Sequence, residues 1–140
     1  MACLFCQIIK GQKPSYKIYE DSQVSAFLDI NPSSPGHTLI IPKQHVSKVE
    51  DLSENDFTAL FRVLHKLIIP IRESVGAEAS TIGINNGPGS GQEIEHVHIH
   101  VIPRHRGDMG QIIQSITRTE RVGNLDQIAK KIRENLHAII

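Results

Sequence analysis

Residues 96–102 read His-Val-His-Ile-His-Val-Ile, so three histidines alternate with aliphatic side chains. Because successive side chains of a β-strand point to opposite faces, this segment predicts a strand with His96, His98 and His100 on one face. The intervening aliphatic residues would fill the other face. A row of imidazoles is costly to bury without partners, so the row indicates a function that uses them.

The residues alone leave three interpretations of this histidine row. The first is a solvated face without a function, which strict alternation among strand-forming aliphatic residues disfavours. The second is metal binding, because a His-x-His pair on a strand can converge on zinc. The third is nucleophilic catalysis, in which one imidazole attacks a substrate and its neighbours bind charge.

The charge balance of the 140-residue chain argues against an extended surface for nucleic acid or membrane, because 15 Lys and Arg offset 15 Asp and Glu. A small phosphate ligand in a local pocket remains compatible with that balance. No apolar run is long enough to span a bilayer, and the first residues lack the pattern of a signal peptide. We therefore expect a cytoplasmic protein with no nucleic-acid partner and no membrane partner.

The chain contains two cysteines, Cys3 and Cys6, in a Cys-x-x-Cys spacing. This spacing suits half of a zinc site, two small buried thiols or a redox pair. A redox pair of the thioredoxin type follows a strand, and no strand is predicted before Cys3. The spacing therefore favours zinc ahead of buried thiols, and buried thiols ahead of redox chemistry.

Local patterns predict an α+β chain with strand pairs early, one long helix in the middle and two strands after it. Ser53, with an acid three residues later, resembles a capping box for the long helix, and Asn124 is a candidate cap of the terminal helix. Neighbouring hairpin-like strands favour an antiparallel sheet with helices packed on it. The predicted helices lie at residues 5–10, 53–76 and 125–140, and the predicted strands at 17–20, 24–28, 38–41, 81–85 and 96–102.

A glycine-rich loop at residues 85–92 precedes the histidine row and reads Asn-Asn-Gly-Pro-Gly-Ser-Gly-Gln. Glycines let backbone amides approach an anion without interference from a Cβ atom. Gln92 adds a neutral donor and acceptor. An ordinary surface loop is the alternative, but adjacency to three histidines favours a phosphate site.

Five motifs follow one another in a fixed order, at residues 26–32, 35–45, 85–87, 91–92 and 96–102. In these motifs the chain resembles the histidine-triad (HIT) superfamily of nucleotide-binding proteins, in particular a bacterial-type branch with an N-terminal Cys-x-x-Cys that is related to Hint proteins and dinucleoside polyphosphate hydrolases. The resemblance implies one HIT domain over residues 1–140, with 104–140 as a branch-specific C-terminal extension. It also implies an antiparallel sheet of about five strands that continues across a homodimer.

By the same resemblance the chain is a nucleotide phosphohydrolase. Its middle histidine, His98, would attack the α-phosphate of a dinucleoside polyphosphate such as diadenosine tetraphosphate, or of a nucleoside phosphoramidate or adenylate. Water would then hydrolyse a covalent nucleotidyl-histidine to AMP or GMP. His96 and His100 complete the catalytic set, and His100 with Gln92 would bind phosphate oxygens. The alternatives are a regulatory nucleotide-binding module with little turnover, and a hydrolase in which His96 and His98 hold a catalytic metal.

The resemblance also assigns contacts to a purine nucleotide. Asp29 would accept hydrogen bonds from the ribose hydroxyls, and Asn85 would contact the phosphate. His37 would support the triad, and Glu93 stands where Hint proteins typically carry Ser. The nucleotide-binding set implied by the resemblance is Leu4, Phe5, Ile8, Phe27, Asp29, Ile30, Asn85, Gly91, Gln92 and His100.

A structural zinc ion is the cofactor that the resemblance implies, and no organic cofactor is expected. The implied ligands are Cys3, Cys6, His45 and His96. Four nitrogen and sulfur ligands make a closed tetrahedral site, which is structural rather than catalytic.

Overall fold

A five-stranded antiparallel sheet forms the frame of the first 110 residues. The computed structural model describes residues 2–117 and 124–139, which fall into two compact units, 1–110 and 111–140. Within the described residues the strand order is β1-β2-β3-β5-β4, so the predicted α+β fold with about five antiparallel strands is confirmed. The strands are β1 (Lys17–Glu20), β2 (Val24–Leu28), β3 (Thr38–Pro42), β4 (Ala79–Gly83) and β5 (Ile99–Arg104).

The last strand, β5, begins three residues later than the histidine pattern predicts. Before Ile99 the backbone bonds to a loop instead of a strand, because the Val97 N–H donates to the Val46 carbonyl across 2.7 Å. The predicted alternation of faces nevertheless holds: Val97, Ile99 and Val101 are all buried in the hydrophobic core. His100 pairs with Leu39 of β3 on one side and with Gly83 of β4 on the other. The last histidine of the row therefore lies inside the sheet instead of at its edge.

A long helix, α2 (Glu54–Ser74), covers the sheet face opposite the histidines. Its predicted capping box is present, because the Ser53 hydroxyl accepts the Asp56 N–H across 3.1 Å. The buried side of α2 packs on alternate residues of β2, β3 and β5. The buried apolar residues of α2 are Ala59, Leu60, Val63, Leu64, Leu67 and Ile71.

A short helix, α1 (Leu4–Ile9), lies on the histidine face of the sheet. Phe5 is its buried residue and packs with Phe27, Leu39 and Ile41 in a second, smaller core. The rings of Phe5 and Phe27 meet edge to face with centroids 5.5 Å apart. A helix of six residues is too short to be stable alone in water, so these tertiary contacts hold α1 in place.

The second unit contains a C-terminal helix, α3 (Leu125–His137), as predicted. Asn124 occupies the predicted N-cap position, but it adopts a left-handed conformation and its side chain makes no capping bond. The predicted helix end at Ile140 and residues 118–123 of the predicted extension lie outside the described residues. Across residues 2–117 and 124–139, no helix combines the length and apolarity that crossing a membrane requires.

Candidate active site and metal cluster

The ring of His98 is held in one orientation by the backbone next to it. Its Nδ1–H donates to the carbonyl of His96 across 2.7 Å, and the side chain is only 6% exposed. A neutral imidazole carries one ring proton, so this bond leaves Nε2 with a free lone pair. Nε2 is therefore the nitrogen of His98 that can act as a nucleophile.

Nε2 of His100 carries the ring proton and can donate a hydrogen bond. A relay of hydrogen bonds from the Ser33 amide through His37 to His100 fixes the proton there. The Ser33 N–H donates to Nδ1 of His37 across 3.0 Å, so the proton of the His37 ring is on Nε2. That Nε2–H donates in turn to Nδ1 of His100 across 2.9 Å. The remaining proton of His100 is on its Nε2, which is buried and has no hydrogen-bond partner within residues 2–117 and 124–139. A buried donor without a partner is costly, so this atom is arranged for an acceptor that arrives with a ligand.

Both histidines of this relay are neutral near pH 7. Burial is the main cause that lowers the pKa of His37, although the Asp29 carboxylate acts in the opposite direction. Burial, reinforced by the nearby His98 and His37, lowers the pKa of His100 to about 4. The relay therefore operates with one proton on each ring, as its hydrogen bonds require.

His98 and His100 border a cleft of about 500 Å³, which is large enough for a nucleotide. The cleft lies between α1, the end of β2, the glycine-rich loop and β5. The structure brings most of the predicted residues together there, and these are Leu4, Phe5, Ile8, Phe27, Asp29, Ile30, His37, Asn85, Gly91, His98 and His100. Lys13, Pro14 and Ser15 also line the cleft, and the only sequence signal for them was their position in the segment between α1 and β1.

Gln92 is predicted to bind phosphate, but it does not line the cleft. Its amide group donates to the carbonyls of Ser47 and Ile94 across 2.8 and 3.0 Å. Its carbonyl oxygen accepts the Gly87 N–H across 2.7 Å. With only 9% of the residue exposed, Gln92 fixes the shape of the glycine-rich loop.

Asp29 lies at the end of β2 with its carboxylate on the cleft. One oxygen accepts the Asn31 N–H across 2.9 Å, and the other lies 3.6 Å from Nε2 of His37. A carboxylate held in this way retains lone pairs for hydroxyl donors. The arrangement is compatible with the predicted ribose contact.

A second cluster lies beside the cleft, where Cys3, Cys6, His45 and His96 converge with all four ligand atoms within 4.8 Å of one another. The two histidine Nδ1 atoms are 3.3 Å apart, and the sulfur-to-Nδ1 distances include 3.3 Å for Cys6–His45 and 3.5 Å for Cys3–His96. Tetrahedral zinc with ordinary bond lengths requires about 3.4 Å between two nitrogens and about 3.6 Å between nitrogen and sulfur. The cluster thus has the spacing of a metal site.

The tautomer of His96 agrees with a metal-binding role. Its Nε2–H donates to the Pro42 carbonyl across 2.7 Å, which leaves a lone pair on Nδ1 facing the two sulfurs. Metal-ligating histidines are usually oriented by such a bond from the other ring nitrogen. His96 is fully buried, and burial is the main cause that lowers its pKa, which keeps the ring neutral and able to ligate.

Asp29, His37 and His100 also place three ligand atoms within 4.8 Å, but their hydrogen bonds argue against a metal there. Nδ1 of His37 accepts the Ser33 N–H, so its Nε2 must carry the ring proton and has no lone pair to offer. We interpret this group as a hydrogen-bonded relay.

The chain belongs to the HIT family, because residues 10–107 match the HIT domain. A HIT-like protein of Methanocaldococcus jannaschii is 37% identical over 131 residues, which cover 94% of this chain and 98% of that protein. The adenosine 5′-monophosphoramidase of Schizosaccharomyces pombe is 37% identical over 110 residues, which cover 79% of this chain and 80% of that enzyme. Relatives named as hydrolases support a nucleotide hydrolase at the level of the family.

Solved structures of the same family share the fold over nearly the whole chain. A HIT family protein from Bacillus subtilis has a TM-score of 0.83 at 34% identity, with 96% of each chain covered. A zinc-bound histidine-triad protein from Mycobacterium smegmatis has a TM-score of 0.74 at 31% identity, covering 99% of this chain and 96% of that one. The Cys3–Cys6–His45–His96 cluster could accordingly hold a metal ion.

Proposed function

We propose that this protein hydrolyses or transfers nucleotides by attack of His98 on an α-phosphate. The observation that carries the proposal is the pairing of two ring nitrogens in one cleft. Nε2 of His98 has a free lone pair, and Nε2–H of His100 has no acceptor in the part of the chain that the structure describes. The two rings lie 4.9 Å apart between centroids, a separation that allows one phosphate group to meet both nitrogens.

In the proposed reaction Nε2 of His98 forms a bond to the α-phosphorus while the bond to the leaving group breaks. The Nε2–H of His100 donates to a phosphoryl oxygen and stabilises the charge that develops there. Water then attacks the phosphorus of the nucleotidyl-His98 intermediate, and the released product is a nucleoside monophosphate, AMP or GMP for a purine substrate. The regenerated imidazole keeps its Nδ1–H on the carbonyl of His96 throughout.

The remaining lining of the cleft fits a nucleoside. Asp29 offers acceptors for the ribose hydroxyls, and Asn85, which also lines the cleft, would contact the phosphate. Apolar side chains from α1 and β2 would enclose the base. These side chains are Leu4, Phe5, Ile8, Phe27 and Ile30.

The charges of the cleft favour a phosphoramidate or adenylate over a dinucleoside polyphosphate. Lys13 is the one cation among the charged side chains that line it, and Asp29 and Glu93 are the two anions. Arg104 instead donates to Asp108 and, with Arg106, does not line the cleft. Among the described lining residues, a leaving group with several more phosphates would meet Lys13 as its one basic partner and would be repelled by Asp29 and Glu93.

The test is mass spectrometry of enzyme quenched during turnover of adenosine phosphoramidate. The expected result is an AMP adduct on His98 in the wild type and no adduct in His98→Asn, with AMP binding retained in both. Full turnover by His98→Asn would refute the covalent mechanism. Tight binding of AMP without turnover of any substrate would instead support a regulatory nucleotide-binding module.

We also propose zinc as the metal of the Cys3–Cys6–His45–His96 cluster. Two thiolates and two neutral imidazoles form a closed site, in which zinc acts as a cross-link between chain segments and leaves no open position for catalysis. The ligands would join the start of the chain, the turn after β3 and the segment before β5. About one zinc per chain in protein purified without added metal is expected, and protein that is free of metal with both thiols reduced would contradict it.

A homodimer formed through α2 is the third part of the proposal. Phe57 and Phe61 stack on the exposed side of this helix with centroids 4.8 Å apart, and they are 44% and 38% exposed. Ile69 extends the same side and is 55% exposed. Sedimentation of the wild type is expected to show a dimer, and Phe61→Glu is expected to shift it toward monomer. A wild-type monomer at micromolar concentration would refute the dimer.

A further inference from the structure

The metal cluster and the nucleophile share one residue, His96. The Nδ1 atom of this residue faces Cys3, Cys6 and His45, whereas its backbone carbonyl accepts the Nδ1–H of His98 across 2.7 Å. The carbonyl that determines the tautomer of the nucleophile is therefore part of a residue that the metal would hold. Its second anchor is the 2.7 Å bond from Nε2 to the Pro42 carbonyl.

A second connection runs through α1. Cys3 precedes this helix and Cys6 lies within it, so both sulfur ligands belong to the segment that carries Phe5. The Phe5 ring packs edge to face on His98 with centroids 5.2 Å apart, and on His96 with centroids 5.8 Å apart. Because α1 has only six residues, its position depends on the small core and on whatever joins the two sulfurs to the histidines.

We propose that the Cys3–Cys6–His45–His96 centre positions the nucleophile as well as the fold. With metal bound, the centre keeps Phe5 against His98 and keeps the His96 carbonyl in line with its Nδ1–H. Without metal, α1 and His96 gain freedom, the ring of His98 samples both tautomers, and the fraction with a lone pair on the cleft-facing nitrogen falls. Cys3, Cys6 and His45 are then positioning residues, and this inference rests on the proposed role of His98.

His45 offers the sharpest test, because it is exposed and does not line the nucleotide cleft. A depression of about 300 Å³, lined by Cys3, Cys6 and His45 among others, gives a chelator access to the centre. The experiment compares the wild type with zinc, the wild type after chelation, His45→Ala and His45→Cys. The last variant keeps four ligands, since thiolates bind zinc as well as imidazoles do.

Three quantities are measured on each form: ring ¹⁵N chemical shifts of His98, the Kd for AMP, and kcat with adenosine phosphoramidate. Zinc-loaded wild type and His45→Cys are expected to show one tautomer, protonated on Nδ1. Chelated wild type and His45→Ala are expected to show a tautomer mixture and a kcat lower by about tenfold, as for loss of one orienting hydrogen bond. The Kd for AMP is expected to rise by a smaller factor than the factor by which kcat falls. Chelator is expected to leave His45→Ala unchanged.

Identical His98 shifts and kcat with and without zinc would overturn the inference. Unfolding of both metal-free forms would also overturn it, because the metal would then hold the whole fold instead of the nucleophile. Failure of the proposed catalysis is distinguishable, since zinc-loaded protein would then show no turnover and no adduct while the ¹⁵N shifts still report the tautomer.

Discussion

His37 donates its Nε2–H to Nδ1 of His100 across 2.9 Å, and the direction of that bond is fixed by the backbone of Ser33. The consequence is that His100 has its proton on Nε2, where it has no hydrogen-bond partner among the described residues. His37 thus positions His100, whose Nε2–H would donate a hydrogen bond to the phosphate. His37 also lines the cleft.

Replacing His37 with Phe is expected to lower kcat/KM by about tenfold to a hundredfold. The buried Nδ1 of His100 loses its donor, and the ring can then move its proton to Nδ1, which leaves an unfavourable lone pair toward the phosphate. The measurement is steady-state hydrolysis of adenosine phosphoramidate. His37→Gln is the matched control, because its amide can still donate, and its loss is expected to be smaller. Equal loss in both variants would show that the donor is irrelevant.

The stability of the fold is expected to fall as the pH decreases below about 6.5. His100 has a folded pKa of about 4, below the value of about 6.5 for an unfolded histidine, so the unfolded chain binds more protons in this window. The stabilisation is fully present above about pH 6.5 and is lost progressively toward pH 4. The lowered pKa of His37 acts in the same direction.

Urea unfolding at several pH values would measure this effect as the difference between wild type and His100→Asn. Taking the difference removes the contributions of the histidines that do not interact with His100. Wild type is expected to lose more stability than the variant between pH 6.5 and 4. A pH-independent difference would contradict neutral burial of His100.

The sequence predicted the elements whose signals are local. Alternation in residues 96–102 placed the aliphatic residues in the core and the histidines on the opposite face, and this holds even where β5 has not yet begun. Ser53 likewise caps α2 as its spacing predicted. Periodicity and capping depend on residues close in sequence, so they can be recognised without knowledge of the long-range contacts.

Long-range partners could not be predicted from the residues alone. Cys3 and His96 are 93 positions apart, and only the resemblance to a known family placed them together. The direction of the His37–His100 bond depends on a backbone amide of Ser33, for which no side-chain pattern gives a signal. The same applies to Gln92, whose amide is occupied by backbone groups of Gly87, Ser47 and Ile94.

Cys6→Ser is expected to abolish metal binding and to lower the melting temperature toward that of chelated wild type. A metal that binds only the folded state stabilises it, and a hydroxyl is a much poorer zinc ligand than a thiolate. Native mass spectrometry gives the metal stoichiometry, and thermal unfolding gives the shift. His137→Ala, at an exposed position of α3, is the control and is expected to keep both values. Retention of one zinc by Cys6→Ser would remove Cys6 from the ligand set.

Glu93→Gln is expected to change which leaving groups the enzyme prefers. Glu93 is exposed and lines the cleft. Its carboxylate repels anionic leaving groups and attracts cationic ones, so the variant is expected to raise kcat/KM for diadenosine tetraphosphate by about two- to tenfold. It is expected to lower kcat/KM by a similar factor for a phosphoramidate of a diamine, and to leave kcat/KM unchanged for a phosphoramidate of a neutral amine.

Glu95→Gln is the control, because Glu95 is exposed but does not line the cleft. A uniform change for all three substrates, or the same shift in Glu95→Gln, would show that the charge of Glu93 does not select the leaving group.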